Sequence, residues 1–182
     1  GTESFDFDVL QAMHKTQNTR GGREAFIGDM KNQRISWNER GIAVSATCII
    51  GHELDRKGVG KRSAENALEI GFDLVVPFIL GVLPGSKDSF VLGQDPDRAT
   101  IAPDFNRYTS MEATITWNNP DSLTPEQVWE EYMDFRRTFY RPENIRRVCS
   151  SMTGVRQFVW YMIHTALGRH GMASGAGKIY TA

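Results

Sequence analysis

The sequence predicts an α/β fold built on parallel strands, and three observations predict it. Two runs, "IAVSATCIIG" over 42–51 and "FDLVVPFILGVLPGS" over 72–86, are rich in β-branched residues and almost uncharged. Strands covered on both faces read this way. Between them, Ser63 to Ile70 has helical character and stops at Gly71. Strand, helix, strand at this spacing is a βαβ unit, which joins parallel strands through a right-handed crossover.

The other elements follow in chain order. From Asp6 to Asn18, Val9, Leu10 and Met13 recur at helical spacing, and Asp6 or Asp8 can cap the first turn. "TRGG" breaks the pattern. Glu24 to Arg40 reads as a second helix with Gly41 as its stop. Lys87 to Asn119 is polar and reads as loop with one short strand at "EATITW". In "TPEQVWEEYMDFRRTFY", Thr124 and Gln127 form a capping box and Pro125 takes the first helical position. Acidic residues in its early turns and Arg136 and Arg137 at its end suit the helix dipole. In the last helix Val155, Phe158, Val159, Met162, Ile163 and Ala166 make a stripe at three- and four-residue steps, which predicts docking on the core.

The 182 residues carry 21 basic and 22 acidic side chains, a net charge of -1, so no global field points to nucleic acid or an anionic surface. Partners must be argued locally. The most apolar run, Val155 to Leu167, contains Gln157 and His164 and is shorter than the roughly 20 residues of a membrane span. There is no charged-then-apolar leader, so the expected location is the cytoplasm. Cys48 and Cys149 are far apart and belong to no metal- or disulfide-like cluster. Both read as ordinary core or half-buried thiols.

Several short motifs invite a function and each has a plainer explanation. "GVGKRS", Gly58 to Ser63, resembles the end of a phosphate loop, but Asp55 stands where that loop needs glycine and Arg62 where it needs Ser or Thr. It reads as a solvated connection. His14, His52, His164 and His170 lack ligand spacing. His52 alone directly follows a strand, where parallel sheets place their chemistry, and otherwise reads as a polar loop residue. "RRTFYRPENIRR" mixes arginines with Phe139 and Tyr140, yet Glu126, Glu130, Glu131 and Asp134 precede it, so helix charge complementation accounts for it. "VLPGS" is a tight turn, or a place where backbone amides approach a ligand.

Taken in order, these pieces resemble the C-terminal half of a radical S-adenosylmethionine (radical SAM) enzyme of the type that also carries a cobalamin (B12)-binding domain. The anaerobic magnesium-protoporphyrin monomethyl ester cyclase belongs to that broad group. "GTES" with "VLQAMHKTQN", then "GIAVSATCIIG", "GVLPGS" and "LTPEQVWEEYMDFRRTFYRPENIRR" are similar to five successive signatures of the family, over Gly1 to about Arg147. The resemblance implies a partial TIM-like barrel over residues 1–86, with Gly1 to Ser4 ending its fourth strand and the two apolar runs as its fifth and sixth. An irregular connection over 87–119 and a helical extension over 120–182 would follow.

The cofactors implied are SAM, a 4Fe-4S cluster and cobalamin, the last two with their protein ligands outside this chain. No C-x-x-x-C-x-x-C loop occurs here, and a cluster that leaves one iron open needs three thiolates. By position, the resemblance implies Glu3 and Ser4 near the polar part of SAM. It implies Ile49 and Gly51 at the adenine, and backbone groups of Gly81 and Val82 beside it. In the family's G-x-I-x-G-x-x-E pattern, Thr47 replaces the first glycine and Leu54 the acid, with Glu53 one place early. Strand alternation places Thr47, Ile49 and Gly51 on one side. The implied chemistry is hydrogen abstraction leading to C-methylation or ring formation on a small-molecule substrate, with the N-terminal half of the same protein as partner. Specificity is expected from 87–119 and the C-terminal helices. The alternative from another class is a non-catalytic α/β binding or scaffold module.

Overall fold

The structure is a computed structural model that describes residues 4–13, 21–109, 111–150 and 154–174. Glu3 and the expected helical residues beyond Met13 lie outside that set. Helix α1 (Phe7–Ala12) is capped by Asp6, whose carboxylate accepts from the amides of Asp8 at 3.1 Å and Val9 at 3.5 Å. Helix α2 (Gly22–Asn38) leads to strand β1 (Ser45–Ile50), helix α3 (Val59–Ile70) and strand β2 (Leu74–Ile79). The two strands are parallel, with Ser45 opposite Leu74 and Ile50 opposite Ile79. The βαβ unit is therefore present, as part of a mixed α/β fold. Among the described residues the parallel sheet has two strands and closes no barrel.

Gly58 and Gly71 bracket α3 in the left-handed region, at φ +89° and +88°. The helix begins four residues before Ser63, and its first residues are no solvated connection: Val59 and Gly60 are buried. The cause lies in helix α5 (Pro125–Phe139), which starts with the expected Thr124–Gln127 capping box and packs across α3. Glu131 on α5 accepts from the amides of Gly58 at 2.6 Å and Gly60 at 2.8 Å, two donors the first turn of α3 cannot satisfy itself. A Cβ on Gly60 would stand 1.9 Å from the Glu131 carbonyl oxygen, so the helices meet backbone to backbone.

The core joins Phe5, Val9 and Leu10 to Cys48, Ile50, Ile70, Val75 and Ile79 of the βαβ unit and to Tyr132, Phe135 and Phe139 of α5. Tyr140 adds its hydroxyl, which donates to the carbonyl of Val75. Only one face of the sheet is covered in this way. Cys48, Ile50, Val75, Pro77 and Ile79 point into the helices, while Thr47 is exposed and Ile49, Val76 and Phe78 are half-buried on the other face. The expectation of strands covered on both faces therefore holds for one face of the described sheet.

Residues 87–119 are more ordered than their polarity suggested. Ser86 caps helix α4 (Lys87–Gly93), accepting from the Ser89 amide at 3.1 Å. Strand β3 (Ala99–Ile101) pairs antiparallel with β4 (Ile115–Trp117), the latter within "EATITW". Val82, Leu92, Ala99 and Ile115 close a second small core, to which Leu80, Ile101 and Trp117 contribute. Four buried apolar residues suffice because the segment rests against the strand ends and need not stand alone.

Helices α6 (Pro142–Ser150) and α7 (Gly154–Ser174) complete the described chain. The expected docking stripe of α7 is its outer face: Val155 is 79% exposed, Phe158 65% and Met162 52%. The face that docks carries Trp160, His164 and Leu167. His164 lies 5.7 Å from the rings of both Tyr140 and Trp160, and the Leu167 carbonyl accepts from Arg136. Periodicity finds two candidate stripes on a helix that is apolar nearly all round, and a buried arginine needing an acceptor selects the less regular one. No helix among the described residues is long and apolar enough to cross a membrane.

Two outcomes follow from this packing. Gly60→Ala must separate α3 from α5 and is expected to cost about 3 kcal/mol or more, the upper range of overpacking, read as a fall in the urea unfolding midpoint. Phe158→Ala is expected to change stability by less than about 0.5 kcal/mol, because its side chain leaves water only slightly on folding. A loss of several kcal/mol at Phe158 would contradict the docking of α7 described above.

Candidate functional site

A cleft of about 400 Å³ opens where β1 and β2 end, the size of site that accepts a small organic ligand. Ile49, Leu80, Val82 and Trp117 give it apolar walls, and Ser4, His52, Asp88 and Arg98 its polar groups. Three of the residues the sequence singled out, Ser4, Ile49 and Val82, thus share one cavity. Ser4 comes from before α1, and its hydroxyl accepts from the Asp6 amide at 3.0 Å. Asp6 in turn holds Arg62 of α3 at 2.8 Å, and Asn66 donates to the Phe5 carbonyl at 2.7 Å. Helix α3 therefore fixes the segment that brings Ser4 to the cleft.

Gly51 and Gly81 are not among the residues that line the cleft. Gly51 has φ +105°, and a Cβ there would stand 3.0 Å from Val128 on α5, on the helix-covered side. The alternation that sets Ile49 facing the cleft ends at this turn. Gly51 contributes through its backbone: its carbonyl accepts from the Trp117 indole at 2.9 Å and so holds the far wall of the cleft to the strand end. A Cβ on Gly81 would meet Thr114 at 3.8 Å, and neither glycine lines the cavity.

The turn after β1 is built on Asp55, which is 1% exposed. Its Oδ2 accepts from the amides of Gly51 at 2.7 Å and His52 at 3.0 Å. Burial pushes its carboxyl up to about 6, with the charges of Asp6 and Glu131 adding to the rise and the two amide hydrogen bonds opposing it. His52 follows on the same turn, at 6.4 Å from the ring of Trp117. Its Nδ1 accepts from the Leu54 amide at 3.3 Å, which assigns the proton of the neutral ring to Nε2. Burial lowers its pKa, so it stands neutral at pH 7 as a hydrogen-bond donor. Glu53 turns away to pair with Arg98 at 2.7 Å, and the guanidinium lies 5.8 Å from the Trp117 ring.

No functional role for Asp55, Arg98, Trp117 or Asp88 is legible in a sequence motif. The signal for Asp55 is an acid five residues past the end of β1, within reach of the amides that turn the chain. Arg98 and Asp88 lie in the segment that reads as loop and Trp117 ends its one expected short strand; none of the three carries a motif.

The cleft can hold a flat apolar group between Ile49, Val82 and Trp117 and offer donors and acceptors at its edge. An iron-sulfur cluster is not suited by the residues present: Cys48 is buried on the helix-covered face of β1, where burial raises its thiol far above the ordinary range, and Cys149 is buried on α6. Among the described residues no three potential ligands gather to hold a metal ion. The fold and cleft define a class, an α/β protein with a cleft at the C-terminal ends of its parallel strands. Beyond that class, no family model matches the sequence, and no curated protein matches it.

The raised Asp55 carboxyl makes stability depend on pH. Unfolded, it ionises near 3.8; folded, near 6. Between those values the folded chain holds a proton the unfolded chain has lost, so stability falls as pH rises through this window and stays lower above it. The loss is on the order of 3 kcal/mol. Asp55→Asn keeps one oxygen acceptor and removes the titration. Urea midpoints at pH 4.5 and 7 are expected to fall more in wild type than in the variant; equal changes would mean that Asp55 ionises normally.

Proposed function

We propose that this chain is part of a radical SAM enzyme of the cobalamin-domain type and that its cleft receives the nucleoside end of SAM. The observation that carries the reading is that Ser4, Ile49 and Val82, from three separate segments and each marked by its place in a family-like motif, line one cavity at the ends of parallel strands. The half-open sheet face supports it too, since strands of a barrel carry helices on one face and meet other barrel residues on the other. In this reading residues outside 1–182 hold the cluster and cobalamin and cover that face.

SAM, reductively cleaved when bound, supplies the hydrogen-abstracting species. This chain's residues bind and orient. Ile49 packs on the base from the strand end, Val82 and Trp117 of the second small core close the other wall, and the Nε2 proton of His52 and the Ser4 hydroxyl hydrogen-bond to polar atoms at the edge. Packing on both sides of the base excludes water from the cavity. Asp88 and Arg98, from the segment that forms the outer wall, face the small-molecule substrate.

The test is SAM affinity, measured by equilibrium dialysis on the protein carrying both halves. Ile49→Ala removes three carbons of apolar contact and is expected to weaken binding about tenfold or somewhat more. Cluster content, followed by absorbance, should not change. Wild-type affinity in a folded, cluster-loaded variant would take Ile49 out of the site. Absence of SAM binding by the wild-type protein would remove the reading as a whole.

A further inference from the structure

Among the described residues, the outer face of α7 carries a row of exposed apolar side chains. Val155, Phe158, Val159 and Met162 recur at three- and four-residue steps along it, with Tyr161 at 47% and Ile163 at 39% exposure on its flanks. The opposite face is committed to the core through Trp160, His164 and Leu167. The helix is therefore fixed in orientation with its apolar side outward, and isolated exposed apolar residues do not account for a row of this length.

The charge of the same region is equally one-sided. Residues 144–182 contain Arg146, Arg147, Arg156, Arg169 and Lys178 and no acidic residue, whereas residues 1–143 hold 16 basic and all 22 acidic residues. The near-neutral whole hides an acidic body and a cationic end. On α6, which packs against α7, Arg146 and Arg147 are exposed and neither forms an ion pair among the described residues.

We infer that the outer face of α7, with the cations around it, docks this protein on an anionic lipid surface. A helix lying in the interface buries its apolar side among the acyl chains while neighbouring cations attract anionic headgroups. Tyr161 on the flank, an apolar ring with a polar tip, suits the headgroup level. A second copy of the chain fits less well, because a two-fold contact through this face would set two cationic segments against each other. The inference rests on α7 alone and is independent of the cleft and its ligand.

Flotation in a density gradient tests it, since aggregates stay below and only vesicle-bound protein rises. The protein carrying both halves is expected to float with vesicles of 30% phosphatidylglycerol in phosphatidylcholine and not with phosphatidylcholine alone, and 0.5 M salt should release most of it. Phe158→Glu with Met162→Glu should lower partitioning by at least about tenfold. Phe90→Glu, at an apolar residue that is 66% exposed elsewhere on the surface, should leave it unchanged and so separates the face from general stickiness. Failure of the wild type to float would overturn the inference. So would flotation that survives the double substitution, equal flotation with neutral vesicles, or a lipid-independent dimer that the double substitution dissolves.

Discussion

The contact between Gly60 and Glu131 is the constraint on which the rest of the architecture depends. Helix α3 crosses α5 closely enough that no side chain fits at Gly60, and the carboxylate of Glu131 fills the place an anion would take at the start of α3. That one arrangement sets the height of α3 against the sheet. From α3, Arg62 and Asn66 reach back to Asp6 and Phe5, so the segment before α1 is positioned by the same helix. It also explains why a glycine-rich stretch resembling a phosphate loop is not one: its helix N-terminus already has an internal anion.

Two buried carboxylates do different work a few residues apart. Glu131 neutralises orphan amides at a helix start, whereas Asp55 organises a turn by drawing two successive amides onto one oxygen. Ionised, Asp55 carries a desolvation cost that its two hydrogen bonds only partly offset. The return is local geometry. With Gly51 and His52 held by the same oxygen, the chain leaves β1 in a direction that sets the histidine facing the cleft and aims the Gly51 carbonyl at Trp117.

The small core of Val82, Leu92, Ala99 and Ile115 gives the cleft its second wall. A helix of seven residues and a three-residue hairpin pair could not persist alone, but they lean on strand ends that α3 and α5 already fix. The wall therefore belongs to the same fold and yet has few contacts of its own. Such a layout lets the lining of a cavity vary while the sheet beneath stays rigid.

The sequence by itself determined the elements whose physics is local: the two apolar strands, the Thr124–Gln127 capping box, the Asp6 cap, and Gly71 as the end of α3. It also marked Ser4, Ile49 and Val82 through ordered motifs, and the cleft contains all three. Only the tertiary structure decided which side each element shows. Polar composition concealed α4 and β3, because their stability comes from residues far away in the chain. The direction of Gly51 was lost to a positive φ that alternation cannot foresee. On α7 the regular stripe faces outward, since Arg136 of α5 needs the Leu167 carbonyl and His164 fits between Tyr140 and Trp160. Periodicity states that a helix has an apolar face; which face the core takes depends on polar groups on other elements that must find partners there.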